Sequence, residues 1–123
     1  MKQRLAIVRA LVTEPEILLM DEPFSSLDAF AREEAQDYFL SVRKKLELTI
    51  IMVSHSIEEA VYLADTVYVM TGINPGTIRL SMPISRGGIS HSQFRESSMF
   101  QEYCISLRKV LRSQAEHVSG GMA

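Results

Sequence analysis

The 123 residues contain no apolar run that approaches the ~18–20 residues of a membrane span. No signal-peptide pattern opens them, so any tie to a membrane is expected to run through a partner protein. A single cysteine, Cys104, excludes an internal disulfide and suits a reducing compartment. It reads most simply as a small, semi-buried side chain near a C-terminal helix. Neither sign of charge dominates: 13 Lys+Arg against 15 Asp+Glu leave a net charge of -2, which makes no electrostatic case for nucleic acid. None of the six glycines (72, 76, 87, 88, 120 and 121) precedes a lysine. These residues therefore hold no Gly-x-x-x-x-Gly-Lys-Ser/Thr loop to cradle a phosphate with backbone N–H groups. There is no internal repeat either. What is present, 46% hydrophobic and 23% charged residues, is the composition of one ordinary globular domain.

Against these absences one stretch stands out. Ile17-Leu18-Leu19-Met20 runs straight into Asp21-Glu22-Pro23. Four apolar residues with no polar face predict a strand buried on both sides of a parallel sheet. Ligands of an open α/β sheet gather at the carboxyl ends of its strands. Two acids placed there are costly unless a cation or a proton uses them. Mg²⁺ on Asp21 and a water activated by Glu22 would be such a use.

The other elements follow in order. Met1 to Val12 is helical in pattern, with Leu5, Val8 and Val12 in one apolar row and no capping residue before it. That predicts a chain starting partway through a larger unit. After the acids, Phe24 to Asp28 is a short loop, and Asp28 is placed to cap a helix over about 29–46. Its apolar positions are Ala31, Ala35, Tyr38, Val42 and Leu46. Thr49 to Val53 is a second apolar strand, ending at Ser54-His55-Ser56, and Ser56 with Glu59 predicts a capping box for the next helix. Strands are expected at 66–70 and 78–84, the second alternating and at an edge because Pro83 cannot donate to a ladder. Residues 86–92 read as a loop, 99–112 as an amphipathic helix, and 113–123 as a disordered tail.

Taken singly, each candidate has a plain explanation. An Asp-Glu pair is a common turn after a strand, a lone histidine is usually a cap, and Asp28 is an ordinary N-cap. Together they carry a resemblance. Met1-Lys2-Gln3-Arg4-Leu5-Ala6-Ile7-Val8-Arg9-Ala10-Leu11 resembles the helix that follows the Leu-Ser-Gly-Gly signature of ABC transporter ATPases. Asp21-Glu22-Pro23 resembles their Walker B, Ser25-Ser26-Leu27-Asp28 their D-loop, and Ser54-His55-Ser56 their switch histidine. Glu59-Ala60-Val61-Tyr62-Leu63-Ala64-Asp65 and Pro75-Gly76-Thr77-Ile78 are similar to the nitrate, sulfonate and taurine importers.

The resemblance implies an α/β fold, a partial P-loop NTPase-type (ABC ATPase) parallel sheet flanked by helices and lacking the P-loop strand. Residues 1–112 would be the C-terminal part of a nucleotide-binding domain. It implies Mg²⁺ held by Asp21, a water polarised by Glu22, and a γ-phosphate contacted by His55. Ser26 and Asp28 would lie at the seam of a dimer that sandwiches ATP. The implied partners are transmembrane permease subunits, a second ATPase subunit and, indirectly, a solute-binding protein, with no nucleic acid. The implied place is the cytoplasmic face of the cell membrane. In the family that these residues resemble, the strand before the P-loop lies between the Walker B and switch-histidine strands. Without it, those two either pair directly or each present a bare apolar edge. The 123 residues alone are expected not to hydrolyse ATP, and a non-catalytic interaction module is the alternative.

Overall fold

In the computed structural model, residues 16–71 and 76–122 are described, together with Arg9. The expected helix over residues 1–12 and the turn over residues 72–75 lie outside them, Arg9 and Gly76 apart. The elements are β1 (Ile17–Asp21), α1 (Ala29–Arg43), β2 (Thr49–Val53), α2 (Ile57–Leu63), β3 (Thr66–Thr71), β4 (Thr77–Pro83), α3 (His91–Arg95) and α4 (Ser98–Met122). They fall into two compact units, divided between His55 and Ser56, where the composition suggested one. Each unit holds its own two-stranded sheet.

In the first unit β1 and β2 are parallel, in register from Ile17 opposite Thr49 to Asp21 opposite Val53. Of the two expected arrangements, direct pairing is the one found. The ladder runs past both ends, through Thr49 N–H to the Glu16 carbonyl at 3.2 Å and Glu22 N–H to the Val53 carbonyl at 2.8 Å. Parallel strands need a crossover, and α1 supplies it. Asp28 caps α1 as expected, its carboxylate accepting from Ala31 N–H at 2.8 Å.

The buried row of α1 differs from the expected one. Ala35, Gln36, Phe39 and Leu40 are buried, and Leu46 lies beyond the helix, exposed. Phe24 draws the row round: it is fully buried and meets Phe39 edge-on at 6.1 Å between ring centroids. The strands were expected to be buried on both faces, and here they are not. Ile17 is 59% exposed, Leu19 72%, Ile51 53% and Val53 52%, while Leu18, Met20, Ile50 and Met52 are half-buried. The cause is topological. Among the described residues, two strands and the single crossover helix α1 cover one face only.

The second unit packs α2, α3 and α4 with the antiparallel pair β3–β4. Its core is Val61, Val67, Val69, Ile84, Phe94, Cys104 and Leu107. Ser56 caps α2 through Glu59 N–H at 3.2 Å. The alternation expected in β4 holds for Leu80, Met82 and Ile84 but fails at Ile78, which is exposed. A register shift between Val69 and Met70 sets Met70 against Ile78, so the side-chain sequence slips there. The short α3 replaces part of the expected loop. Ser90 and Gln93 form a reciprocal capping box in front of it. The last helix also runs further than expected, through the backbone of residues 113–122, which contains no glycine or proline before Gly120.

Candidate functional site

The site is built where β1 and β2 end side by side. Because Asp21 pairs with Val53, the residues just beyond each strand are brought together at the carboxyl edge. Glu22 is the first of them, and it breaks from the strand: its φ is 48°, in the left-handed region that few non-glycine residues occupy. Two contacts hold it there. Its N–H donates to Val53, and its carbonyl accepts from Ser25 Oγ at 3.1 Å. The turn sends its side chain across to the neighbouring strand, where Oε1 accepts a hydrogen bond from His55 Nδ1. Glu22 is the more sheltered partner, whereas the ring of His55 is 92% exposed, open to anything that docks on this edge.

Of the five residues singled out from sequence, Glu22 and His55 thus meet. Asp21 adjoins them through the chain, its carboxylate exposed at the end of β1. Ser26 and Asp28 lie on the following loop, also exposed. One oxygen of Asp28 is already engaged as the helix cap. The loop is pinned from below by the buried Phe24 ring and from the side by Arg32. The Arg32 guanidinium donates to the Leu27 carbonyl at 2.8 Å and to that of Phe24 at 3.4 Å.

Sequence reasoning missed Arg32. A cation in the first turn of a helix is poorly placed for the dipole, and that mismatch was the available signal that its charge is used elsewhere.

The chemistry open to this edge follows from its donors. Carboxylate oxygens are hard ligands suited to Mg²⁺, which keeps several of its waters and needs few protein ligands. Asp21 fits as one such ligand, reachable and not tied up in the ladder. Among the described residues no group of three or more His, Cys, Asp and Glu could hold a metal. Glu22, a carboxylate already sharing a hydrogen with an imidazole, is suited to taking a proton from a water placed above the strand ends.

Comparisons with known proteins bear on this reading. No family model matches the chain. By sequence it is related to the ATP-binding subunits of ABC importers, over their C-terminal portion. Within that class it is 44% identical over 101 residues to the aliphatic sulfonates import ATP-binding protein of Bacillus licheniformis, covering 82% of this chain and 38% of that protein. It is 44% identical over 120 residues to the nitrate import ATP-binding protein of Synechocystis sp., covering 93% of this chain and 45% of the relative. It is 49% identical over 84 residues to the aliphatic sulfonates import ATP-binding protein of Bacillus subtilis, covering 68% of this chain and 32% of that one. The chain therefore spans less than half of these relatives. No helix among the described residues is long and apolar enough to cross a membrane.

Proposed function

We propose that this chain is the C-terminal portion of an ATP-hydrolysing importer subunit, carrying the water-activating half of its nucleotide site. The observation that supports it is the meeting of Glu22 and His55 at the carboxyl edge of β1 and β2, with Asp21 alongside. In this reading Glu22 holds the attacking water and takes its proton. His55, released from Glu22 or shared with it, donates to the γ-phosphate. Asp21 holds Mg²⁺, which when bound neutralises phosphate charge. Ser26 and Asp28, exposed on a pinned loop, face a second copy of the subunit across the bound nucleotide.

The relatives' printed names concern sulfonate and nitrate import, and solute uptake of that anionic kind is the role proposed here. The partners proposed are membrane permease subunits, with a solute-binding protein engaged through them. The subunit would then sit against the cytoplasmic face of the membrane.

Sequence outside these residues must supply the phosphate-cradling loop, since none of the glycines here precedes a lysine. The 123 residues alone should then turn over no ATP. That same shortage supports the second reading, a non-catalytic interaction module descended from such a subunit.

Both are tested with a chimera that joins this chain to the part of the Bacillus licheniformis relative preceding its matched stretch. Mg²⁺-dependent ATP hydrolysis by the chimera, lowered ~10²–10⁴-fold by Glu22→Gln, is the expected result. A chimera that binds MgATP and hydrolyses it equally well with Gln at position 22 removes Glu22 from the chemistry. Turnover by the chain alone, abolished by Glu22→Gln, overturns the requirement for outside sequence. A chimera that binds no MgATP leaves the interaction module as the better reading.

A further inference from the structure

Glu22 reaches His55 from a backbone in the left-handed region, and Ser25 holds that backbone from one side. The Glu22 carbonyl accepts from the Ser25 N–H at 3.4 Å as well as from its hydroxyl at 3.1 Å. Ser25 itself lies inside a tight turn, closed by the Leu27 N–H on the Phe24 carbonyl at 3.2 Å. Both ends of that turn meet one side chain. The Arg32 guanidinium donates to the Phe24 carbonyl through Nε and to the Leu27 carbonyl through Nη2.

Helix side chains lean toward the N-terminus, so a long one at position 32 lies over the loop that precedes α1. A cation there opposes the helix dipole, and charge-assisted bonds to two loop carbonyls offset that. The loop does not need Arg32 for attachment. Phe24 roots it by burial, and the Asp28 cap joins it to α1. What the half-buried guanidinium adds is orientation. A planar fork across both ends of the turn fixes its geometry, and with it the direction of the Ser25 hydroxyl.

We infer that Arg32 is a positioning residue: it sets the turn over 24–27 that, through Ser25, holds the Glu22 carboxylate against His55. The inference deepens the proposed function and rests on its reading of Glu22 as the group that takes the water's proton. Such a base must stand within hydrogen-bond reach of that proton, so the place of its carboxylate decides its use. Arg32 touches no reacting atom in this reading. It acts through Ser25 and Glu22 alone.

The test reads the His55 imidazole in the 123-residue chain, without nucleotide. An Nδ1–H that donates to Glu22 fixes the neutral ring in that tautomer, whereas a ring without such a partner favours Nε2–H. Long-range proton–nitrogen correlation spectra, recorded where the ring is neutral, give the ratio of the two forms. The parent should show Nδ1–H in excess. Arg32→Met and Ser25→Ala should each lower the ratio at least ~3-fold, the scale of weakening one hydrogen bond. Ser25→Thr, which keeps the hydroxyl, should hold the parent ratio. Arg32→Lys keeps the charge without the fork and should recover only part of the loss. Leu40→Val, at a buried site in the same unit, should lower the urea midpoint and leave the ratio unmoved.

An unchanged ratio in Arg32→Met or in Ser25→Ala overturns the inference and leaves the proposed function standing. So does a shift in Leu40→Val as large as that in Arg32→Met, since lost stability would then explain both. Should Arg32→Met fail to fold, Arg32→Lys and the two Ser25 variants decide by the same ratio. A parent without the Nδ1–H excess removes the Glu22–His55 contact, and so overturns the inference together with the observation behind the proposed function. The expected ratios beside a chimera indifferent to Glu22→Gln keep Arg32 as the residue that places Glu22 and count against the catalytic reading alone.

Discussion

The Glu22 carboxylate and the His55 imidazole, 33 residues apart in sequence, are hydrogen-bonded across the carboxyl ends of β1 and β2. Neither residue is brought there by its own side-chain preferences. The parallel register sets Asp21 opposite Val53, and the left-handed turn at Glu22 then directs its carboxylate sideways instead of along the strand. The pair is thus a product of the ladder and of one unusual backbone angle. Both are open to measurement without any nucleotide.

A non-glycine residue in the left-handed region carries a cost of roughly 1–2 kcal/mol, larger for a β-branched side chain. Glu22→Gly should therefore leave stability within about 1 kcal/mol of the parent, the relieved backbone offsetting the entropy glycine adds to the unfolded chain. Glu22→Val should lose about 1–3 kcal/mol. Urea unfolding of the two variants beside the parent checks this, with equal slopes required for the comparison. Equal midpoints for the Gly and Val variants would show that position 22 is not held at positive φ.

How much of this was legible beforehand depends on which interactions decide each element. The strands and the Asp28 and Ser56 caps were, since apolar runs and capping residues are local signals. That Glu22 and His55 touch follows from register, which no local pattern encodes. The buried row of α1 was misplaced because Phe24, outside the helix, selects Phe39 as its partner. Exposure of Leu19 and Ile51 contradicted an argument that was sound for a many-stranded sheet and does not apply to two strands. The slip at Ile78 was invisible because a bulge leaves no residue signature in an alternating stretch. The Ser90–Gln93 box, by contrast, is a local signal that the sequence carries.

Cys104 makes a pH-dependent contribution whose sign is fixed by its surroundings. Burial in the second core raises the pKa of its thiol, the Glu58 carboxylate raises it further, and Arg108 acts the other way. A folded pKa above the unfolded one favours the native state fully at pH values below the unfolded pKa, about 8.5 for a thiol. That contribution is lost as pH rises from there through the folded value. The parent should therefore lose stability above pH ~8.5 relative to Cys104→Ala, whose own pH profile isolates the remaining groups. Urea midpoints of both proteins between neutral pH and strongly alkaline pH give the difference. A difference independent of pH would mean the thiol is not sheltered. Native Cys104 should also alkylate far more slowly than the same residue in urea.

Arg86 joins two elements of the second unit. Its Nη2 donates to the carbonyls of Tyr62 at 2.9 Å, Ala64 at 2.8 Å and, more distantly, Val61 at 3.4 Å. These lie at the C-terminal end of α2, where helix carbonyls lack partners and the dipole favours a cation. The same guanidinium lies 5.2 Å from the centroid of the buried Phe94 ring, so one group ties the end of α2 to α3. The chain can bring it there because Gly87 and Gly88 follow at φ 64° and 76°, conformations an L side chain resists. With its side chain 15% exposed, solvent screens these contacts little. Arg86→Met keeps the stem but leaves the carbonyls unmet, and should cost about 2–4 kcal/mol. Arg86→Lys retains charge but has no planar fork to reach two carbonyls while stacking on a ring, and should recover only part of that loss. Arg95→Met, which removes a cation 3.7 Å from the Tyr62 ring centroid, should cost only about 1 kcal/mol. Urea unfolding ranks the three variants. If Arg86→Met cost no more than Arg95→Met, the helix-end contacts would not be what holds α2 in place.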